Sequence, residues 1–269
     1  MPQENPLSHV VDHPTLDLPF WKAPYSVEIE LPHVLGFQMT RLMVMELIAA
    51  VAIAAILIPL ARHASRNFVT RGRFFNIFEA IVMFLRDQVA RPAIGDHGAD
   101  AYVPYLGTLF FFILFCNLMG LIPGGASATG NLNVTAALAV STLAVVVGSG
   151  MREMGVAGFF VGIVPHLDVP GWIKPALWGL MFVIELLGLL IKHFVLAMRL
   201  FANMLAGHIV LTVVLSFVLM AGKWIAVVAP VSIAGVVALS LLELFVAFLQ
   251  AYIFTFLSAL FIGLVLHPH

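Results

Sequence analysis

Charged side chains are scarce in this sequence. Only 10% of its 269 residues are Asp, Glu, Lys or Arg, whereas 62% are hydrophobic. Soluble domains carry about 25% charged residues, so this composition excludes a water-soluble globular protein. The formal net charge of −1 provides no basic field for nucleic acid, which excludes that class of partner. We therefore expect an integral membrane protein whose surroundings are lipid.

Cysteine is nearly absent, and the common nucleotide and metal motifs are missing. The single cysteine, Cys116, lies inside an apolar run, which excludes a disulfide framework and a cysteine-based metal site. The sequence contains no Walker phosphate loop, no GxGxxG fingerprint and no HExxH motif. We therefore predict that this chain has no ATP-hydrolysing site, no cofactor and no metal.

The sequence contains five long apolar runs. A helix of about 20 apolar residues crosses the hydrocarbon core of a bilayer. The runs cover residues 38–61, 103–123, 134–150, 176–221 and 224–266. The third run is short for one crossing, and the last two are much longer than one crossing requires. We predict an all-α polytopic membrane protein with about five membrane-embedded helices.

The connection between the first two runs is basic and amphipathic. Apolar side chains recur at helical spacing from Phe74 to Leu85, which predicts an amphipathic helix at the membrane interface. Six arginines lie in this connection, whereas residues 1–36 contain no basic residue besides Lys22. Because Lys and Arg favour the cytoplasmic side, we expect residues 1–36 to form an external tail. Five crossings then place the C-terminus in the cytoplasm.

Ionisable side chains occur inside the fourth run, although each costs about 2.5–3.5 kcal/mol to insert into hydrocarbon. Glu185, Lys192 and Arg199 follow one another at intervals of seven residues, and Asn203 follows Arg199 by four residues. Such intervals return a helix to nearly the same side, so these residues form one polar stripe. His208 follows Arg199 by nine residues and therefore lies on the opposite face.

The fifth run carries a second polar stripe. Glu243 and Gln250 are seven residues apart, and Ser240 precedes Glu243 by nearly one turn. A buried glutamate needs a cation or hydrogen-bond donors, and His208 on the preceding helix can supply them. Such a pair can relay protons, and it can equally be a structural contact that fixes helix register. The residues alone leave both interpretations open.

Four separated motifs resemble those of one known family. The run from Arg199 to His208, RLFANMLAGH, resembles the signature of the a subunit (subunit 6) of the F-type ATP synthase membrane sector. The resemblance continues in NLMGLIP at 117–123, in NLNVT at 131–135 and in LQA at 249–251. These motifs follow the family's order and lie on or beside the predicted helices.

The resemblance implies a stator proton channel. In the family, the last two helices form a long tilted hairpin against a ring of c subunits. Two offset half-channels lead protons to and from the ring carboxylates, and the flow is coupled to rotation and ATP synthesis. The implied partners are the c-subunit ring, the b-subunit peripheral stalk, other ATP synthase subunits and membrane lipid, and the implied location is the bacterial inner membrane.

The same resemblance suggests how the chain is divided. Residues 1–36 would be the external tail. Residues 37–174 would hold the first helix, the cytoplasmic interfacial helix and two further membrane helices. Residues 175–269 would form the helical hairpin that contains the ion channel.

The family's residue roles carry over to the matching positions. Arg199 matches the essential arginine that faces each passing carboxylate, and its permanent charge suits a gate that does not carry the proton itself. The ring-facing stripe comprises Lys192, Arg199 and Asn203. His208 and Glu243 would lie in the access half-channel, and Gln250 is a further residue of the proton path. Glu185, His166 and Asp168 are candidates for the exit half-channel, and a solvated polar position is the alternative for His166 and Asp168. Further candidates for the proton path are Ser240 and His193, for which a packed imidazole is the alternative.

Two positions depart from the pattern of many bacterial members. Those members carry an acid where this chain has His208 and a histidine where it has Glu243, so the pair is exchanged, as in the mitochondrial form. Gly120 stands where many have aspartate, and we assign it no proton role. Both His208 and Glu243 are proton carriers, which favours H⁺ over Na⁺ as the transported ion.

Two other classes of membrane protein compete with this interpretation. A secondary transporter would use Arg199 to bind an anionic substrate, would use Glu243 and His208 for proton coupling, and would transport without partners. A purely structural scaffold needs no buried charge, and the five Asp, Glu, Lys or Arg residues from residue 175 onward disfavour it. Copurification with a c ring would distinguish the channel from both.

Overall fold

The computed structural model describes residues 15–17, 28–30, 33–34, 37–38, 40–66, 73–96, 98–122, 127–164, 170, 173–220 and 225–266. Most of these residues are helical, and five helices are long and apolar enough to cross a membrane. The predicted all-α polytopic fold is therefore confirmed.

The first membrane helix and the amphipathic helix lie where the sequence predicted them. Helix α1 spans Arg41–Arg66, and α2 spans Arg73–Phe84. A π-helical turn, Leu85–Ala90, follows α2 directly and leads into a short helix α3, Arg91–Ile94. The π turn was not predicted, because apolar spacing at this length does not distinguish it from an ordinary helical turn. The interfacial position of α2 stays a prediction.

Ion pairs join the π turn to the start of α4, which spans Ala99–Leu121. The Arg86 Nε and Nη2 groups donate to the two carboxylate oxygens of Asp100, each at 2.8 Å. Arg91 Nη1 lies 3.0 Å from Asp87 Oδ1. The hydrogen bonds to Asp100 raise the pKa of Arg86 above its ordinary value. The two-point contact fixes the orientation of the π turn relative to α4.

Helix α5 is longer than its apolar run. It spans Leu132–Gly162 after a 3₁₀ turn at Ala128–Gly130, whereas the run covered only 134–150. The third predicted span is therefore present, and its helix extends beyond the run because it continues through the exposed charges of Arg152 and Glu153. Gly155 then departs from helical geometry with a φ of 74° and kinks the helix. Glycine adopts this backbone conformation without the steric cost that a Cβ would bring.

The last two helices have the length that their apolar runs predicted. Helix α6 spans Lys174–Met220 with 47 residues, and α7 spans Ile225–Leu266 with 42 residues. At about 1.5 Å per residue, each is about 60–70 Å long. The hydrocarbon core is about 30 Å thick, so neither helix fits it without a strong tilt.

Short strands precede the helices. Strands β1, Thr15–Asp17, and β2, Glu28–Glu30, pair antiparallel, and so do β3, His33–Val34, and β4, Phe37–Gln38. These pairs were not predicted for the polar tail. Strands of two or three residues carry too little alternation for a sequence pattern to reveal them.

The chain forms two compact units, each assembled from separate segments. The first contains residues 1–66, 111–134 and 200–251, and the second contains residues 67–110, 135–199 and 252–269. In the first unit, Ala49, Cys116 and Ala128 form a buried apolar cluster. The partly buried residues packed against this cluster are Phe112, Phe115, Met119 and Val134.

In the second unit, glycines and hydroxyl groups mediate helix packing. A Cβ added to Gly263 of α7 would collide with the carbonyl oxygen of Ala93, so the glycine permits close approach of the two backbones. The Tyr105 hydroxyl lies 3.1 Å from Thr142 Oγ1, which lies 3.4 Å from Ser258 Oγ. These hydroxyl contacts join α4, α5 and α7 within this unit.

Candidate functional site

The polar stripe of α6 lies on an unbroken helix. Because α6 is continuous from Lys174 to Met220, the spacing places its four polar residues on one face, as predicted. Lys192 and Asn203 are exposed, and Glu185 and Arg199 are half-buried. Within the described part of the chain, Arg199 forms no ion pair. Its positive charge is therefore not neutralised by any described carboxylate.

Large apolar side chains are exposed along the same stretch of α6. They are Leu187, Leu190, Ile191, Phe194 and Val195. An apolar helix surface at membrane depth contacts lipid or another membrane helix. The stripe is thus a line of polar groups on a helix that is otherwise suited to hydrocarbon.

A direct hydrogen bond connects the polar stripes of α6 and α7. Asn203 Nδ2 donates to Gln250 Oε1 at 3.0 Å. Gln250 is only 2% exposed, and its Nε2 group has no hydrogen-bond partner among the described residues. The sequence predicted the two stripes but did not pair these residues, because the pairing depends on the register between two helices.

Glu243 packs against the backbone of α6 at Gly207. A Cβ added to Gly207 would lie 2.5 Å from Glu243 Oε1, so only glycine leaves room for this carboxylate. Both carboxylate oxygens are buried and have no hydrogen-bond partner in the described part of the chain. Sequence analysis missed the role of Gly207, although a glycine in the middle of a long helix is the available signal for close helix approach. The side chain of His208 lies outside what the structure describes, so the predicted pair of His208 and Glu243 stays a prediction.

A buried chain of hydrogen bonds reaches the same face of α7 from α4. The Asn117 side chain is fully buried, and its Nδ2 donates to the Ala247 carbonyl oxygen at 3.3 Å. Thr129 Oγ1 donates to Asn117 Oδ1. Ser127 Oγ lies 2.8 Å from Thr129 Oγ1. Asn117 belongs to the NLMGLIP motif, and its role was not predicted, although a lone amide inside an apolar run is a usable signal.

His193 occupies a packed position. It is 4% exposed, and its ring centroid lies 5.1 Å from that of Phe261 on α7. His193 Nδ1 lies 2.8 Å from the Leu189 carbonyl oxygen. A carbonyl oxygen can only accept, so Nδ1 carries the hydrogen, and Nε2 has no partner among the described residues. The imidazole therefore contributes to packing between α6 and α7 and keeps a free lone pair.

The remaining predicted residues are less informative. Ser240 is half-buried one turn before Glu243, and Gly120 is buried near the end of α4. His166 and Asp168 lie outside the described residues.

The described groups suit proton transfer better than metal binding. Among the described residues, no group of three or more His, Cys, Asp or Glu could hold a metal ion. Within the first unit, the structure brings together the Glu243 carboxylate, which has no described hydrogen-bond partner, and the hydrogen-bonded amides of Asn203 and Gln250. A carboxylate can take up and release protons, whereas an arginine guanidinium cannot.

Comparisons with known proteins agree on one family. The sequence profile of the ATP synthase A chain matches residues 43–263. A protein of Myxococcus xanthus named ATP synthase subunit a is 42% identical over 275 residues, which cover 97% of this chain and 88% of that protein. A protein of Chlorobaculum tepidum named ATP synthase subunit a 2 is 45% identical over 268 residues, which cover 96% of this chain and 71% of that protein. The chain therefore belongs to the ATP synthase A chain family.

Proposed function

We propose that this chain is the stator subunit that conducts H⁺ in the membrane sector of an F-type ATP synthase. Membership of the family supports proton translocation by a multi-pass membrane subunit. The finer proposal is that protons pass through two offset half-channels to and from c-ring carboxylates, and that this flow drives rotation and ATP synthesis. The observation that carries it is the Arg199 charge, which has no ion-pair partner in the described part of the chain.

Arg199 acts as the gate. An arginine guanidinium is a positive charge that does not act as a proton carrier, so it favours the ionised form of an approaching carboxylate and cannot pass a proton on. A ring carboxylate that approaches Arg199 must therefore release its proton before it passes. Lys192 and Asn203 flank Arg199 on the same face of α6 and complete the surface presented to the ring.

Glu243, Gln250 and His208 line the access half-channel, and Asn203 borders it through its hydrogen bond to Gln250. The Glu243 oxygens have no described hydrogen-bond donors, which supports a carboxylate that exchanges protons over one locked in a structural contact. The Asn203–Gln250 hydrogen bond connects this path to the stripe that contains Arg199. Amide groups do not titrate, so this pair carries no charge itself.

The exit half-channel is proposed to begin at Glu185. Glu185 is half-buried and shares the face of Arg199 nearer the start of α6. His166 and Asp168 precede that start in the sequence and are proposed to complete the exit. His193 and Ser240 are further candidates for the proton path.

The proposed partners are the c-subunit ring, the b-subunit peripheral stalk and other ATP synthase subunits. We place the chain in the bacterial inner membrane with the N-terminus outside and the C-terminus in the cytoplasm. The family match supports this assignment over a secondary transporter, which would work without such partners.

The test of this proposal is Arg199→Ala in the whole complex reconstituted into vesicles. We expect ATP-driven proton pumping to fall about 100-fold or more, because no neutral side chain replaces a fixed charge in a low-dielectric site. The matched control is Arg152→Ala, which removes an exposed arginine of α5 and should leave pumping unchanged. Normal pumping by assembled Arg199→Ala would overturn the proposed function.

A further inference from the structure

We propose that Asn117 and Thr129 are positioning residues that hold α7 in register with α6 at the proton path. This inference rests on the proposed function, because Glu243 and Gln250 are the residues to be positioned. It goes beyond that function by assigning a role to side chains on α4 and on the 3₁₀ turn, neither of which is hydrogen-bonded to Glu243.

The Asn117 contact lies on the stripe of α7 that faces the proton path. Ala247 is one turn beyond Glu243 and nearly one turn before Gln250, so all three lie on neighbouring positions of one helix face. Asn117 Nδ2 donates to the Ala247 carbonyl oxygen, which fixes the backbone between the two functional side chains. Ala247 is fully buried, as expected for a point of helix contact.

The hydrogen bonds run in one direction. Thr129 Oγ1 uses its only hydrogen to donate to Asn117 Oδ1, so Ser127 Oγ must be the donor in its contact with Thr129. The direction is therefore from Ser127 to Thr129, then to Asn117, and finally to the Ala247 carbonyl oxygen. Thr129 orients the Asn117 amide, because the bond to Oδ1 leaves Nδ2 pointing at Ala247.

This direction distinguishes positioning from conduction. The chain ends on a backbone carbonyl oxygen, which has no proton to pass on, and it contains no group that titrates near neutral pH. A proton relay needs a terminal group that can pass a proton on and side chains that titrate near the working pH. The network therefore acts on Glu243 and Gln250 through the α7 backbone.

The need for such a constraint follows from the exposure of α7. In the most apolar 18-residue stretch of α7, only 11% of the residues are buried by the rest of the chain. In lipid, apolar packing between helices has no hydrophobic driving force, so register depends on close contacts and hydrogen bonds. A slip of one residue moves a side chain by about 1.5 Å along the axis and about 100° around it. That slip would break both the Asn203–Gln250 bond and the fit of Glu243 against Gly207.

The experiment uses the whole reconstituted complex with Thr129→Val, which keeps the side-chain shape and removes the hydroxyl. We expect ATP-driven proton flux to fall about fivefold, because a small displacement at a transfer site has large effects on rate. The pH of half-maximal flux should stay unchanged, since no titrating group is lost. Thr129→Ser restores the hydroxyl and should recover most of the flux. Ser149→Ala is the control: Ser149 is buried and bonds only to its own helix at Val146, so flux should be unchanged.

Register is measured directly by cross-linking. Cysteines are introduced by Asn203→Cys and Gln250→Cys and are joined with a short bifunctional thiol reagent. Adding Thr129→Val should lower the yield of the α6–α7 cross-link about threefold or more. Asn117→Ala should act in the same direction. If Asn117→Ala does not assemble, the isosteric Thr129→Val decides.

Full flux and full cross-linking in Thr129→Val would overturn the positioning role, and a shifted pH of half-maximal flux would overturn it in favour of conduction. An inactive Arg199→Ala beside a fully active Thr129→Val would refute this inference alone, whereas an active Arg199→Ala would refute the proposed function.

Discussion

Replacing Gly207 by alanine is the smallest change that tests the contact between α6 and Glu243. An added Cβ would lie 2.5 Å from Oε1, 3.1 Å from Cδ and 3.3 Å from Cγ of Glu243. Comfortable heavy-atom contacts are about 3.5 Å, so the carboxylate must move by about 1 Å. A displacement of that size can cost up to about 100-fold in a transfer rate, and we expect proton flux to fall at least about tenfold. Alanine favours a helix over glycine by about 0.5–1 kcal/mol, so the substitution does not weaken α6 itself.

The assay is ATP-driven acidification of reconstituted vesicles, with ATP hydrolysis by the detached catalytic sector as the measure of intact enzyme. Gly179→Ala is the matched control on the same helix, because a Cβ there meets nothing within 4 Å. We expect its flux to equal that of the unmodified complex. Combining Gly207→Ala with Glu243→Asp, which is shorter by one methylene, should recover part of the flux. Unchanged flux in Gly207→Ala, or an equal loss in Gly179→Ala, would refute the contact as the cause.

Three further predictions concern the access path and the ion. Glu243→Gln removes the only carboxylate of α7 and should slow proton flux about tenfold or more, while ATP hydrolysis by the detached sector stays intact; unchanged flux would return Glu243 to a structural role. The double variant His208→Glu with Glu243→His should conduct better than either single variant, since coupled effects are the mark of contacting residues; additive losses would argue against the pair. ATP-driven pumping should persist without sodium and collapse on addition of a protonophore, and strict sodium dependence would refute H⁺ as the ion.

The sequence was sufficient for the long helices and their polar stripes. Insertion of charge into hydrocarbon is costly, so uncharged runs mark membrane helices clearly, and α6 and α7 follow their runs closely. Helical geometry then fixes which residues share a face, because the step per residue is nearly constant. The stripe from Glu185 to Asn203 depends on that geometry alone.

Features that depend on contact between helices could not be predicted in the same way. The Asn203–Gln250 bond and the fit of Glu243 against Gly207 require the register of α6 against α7, which neither helix encodes by itself. Asn117 donates to a backbone carbonyl oxygen, and no pattern of side chains in the sequence indicates such an acceptor. The extension of α5 past Arg152 was missed for a different reason: hydropathy identifies the part of a helix that suits lipid and gives no sign of where the helix itself ends.

The length of α6 has an electrical consequence. Its candidate membrane segment, Lys174–Val214, has 41 residues and is about 60 Å long, so containing all of it in a core of about 30 Å would require a tilt of about 60° from the membrane normal. Each residue then advances only about 0.75 Å in depth, and the eleven steps from Lys192 to Asn203 span about 8 Å. About a quarter of the transmembrane voltage would then fall between Lys192 and Asn203, whereas an upright helix would place about half of it there. At 100 mV this difference is about 0.6 kcal/mol per elementary charge, so a carboxylate that moves along the stripe does little work against the field.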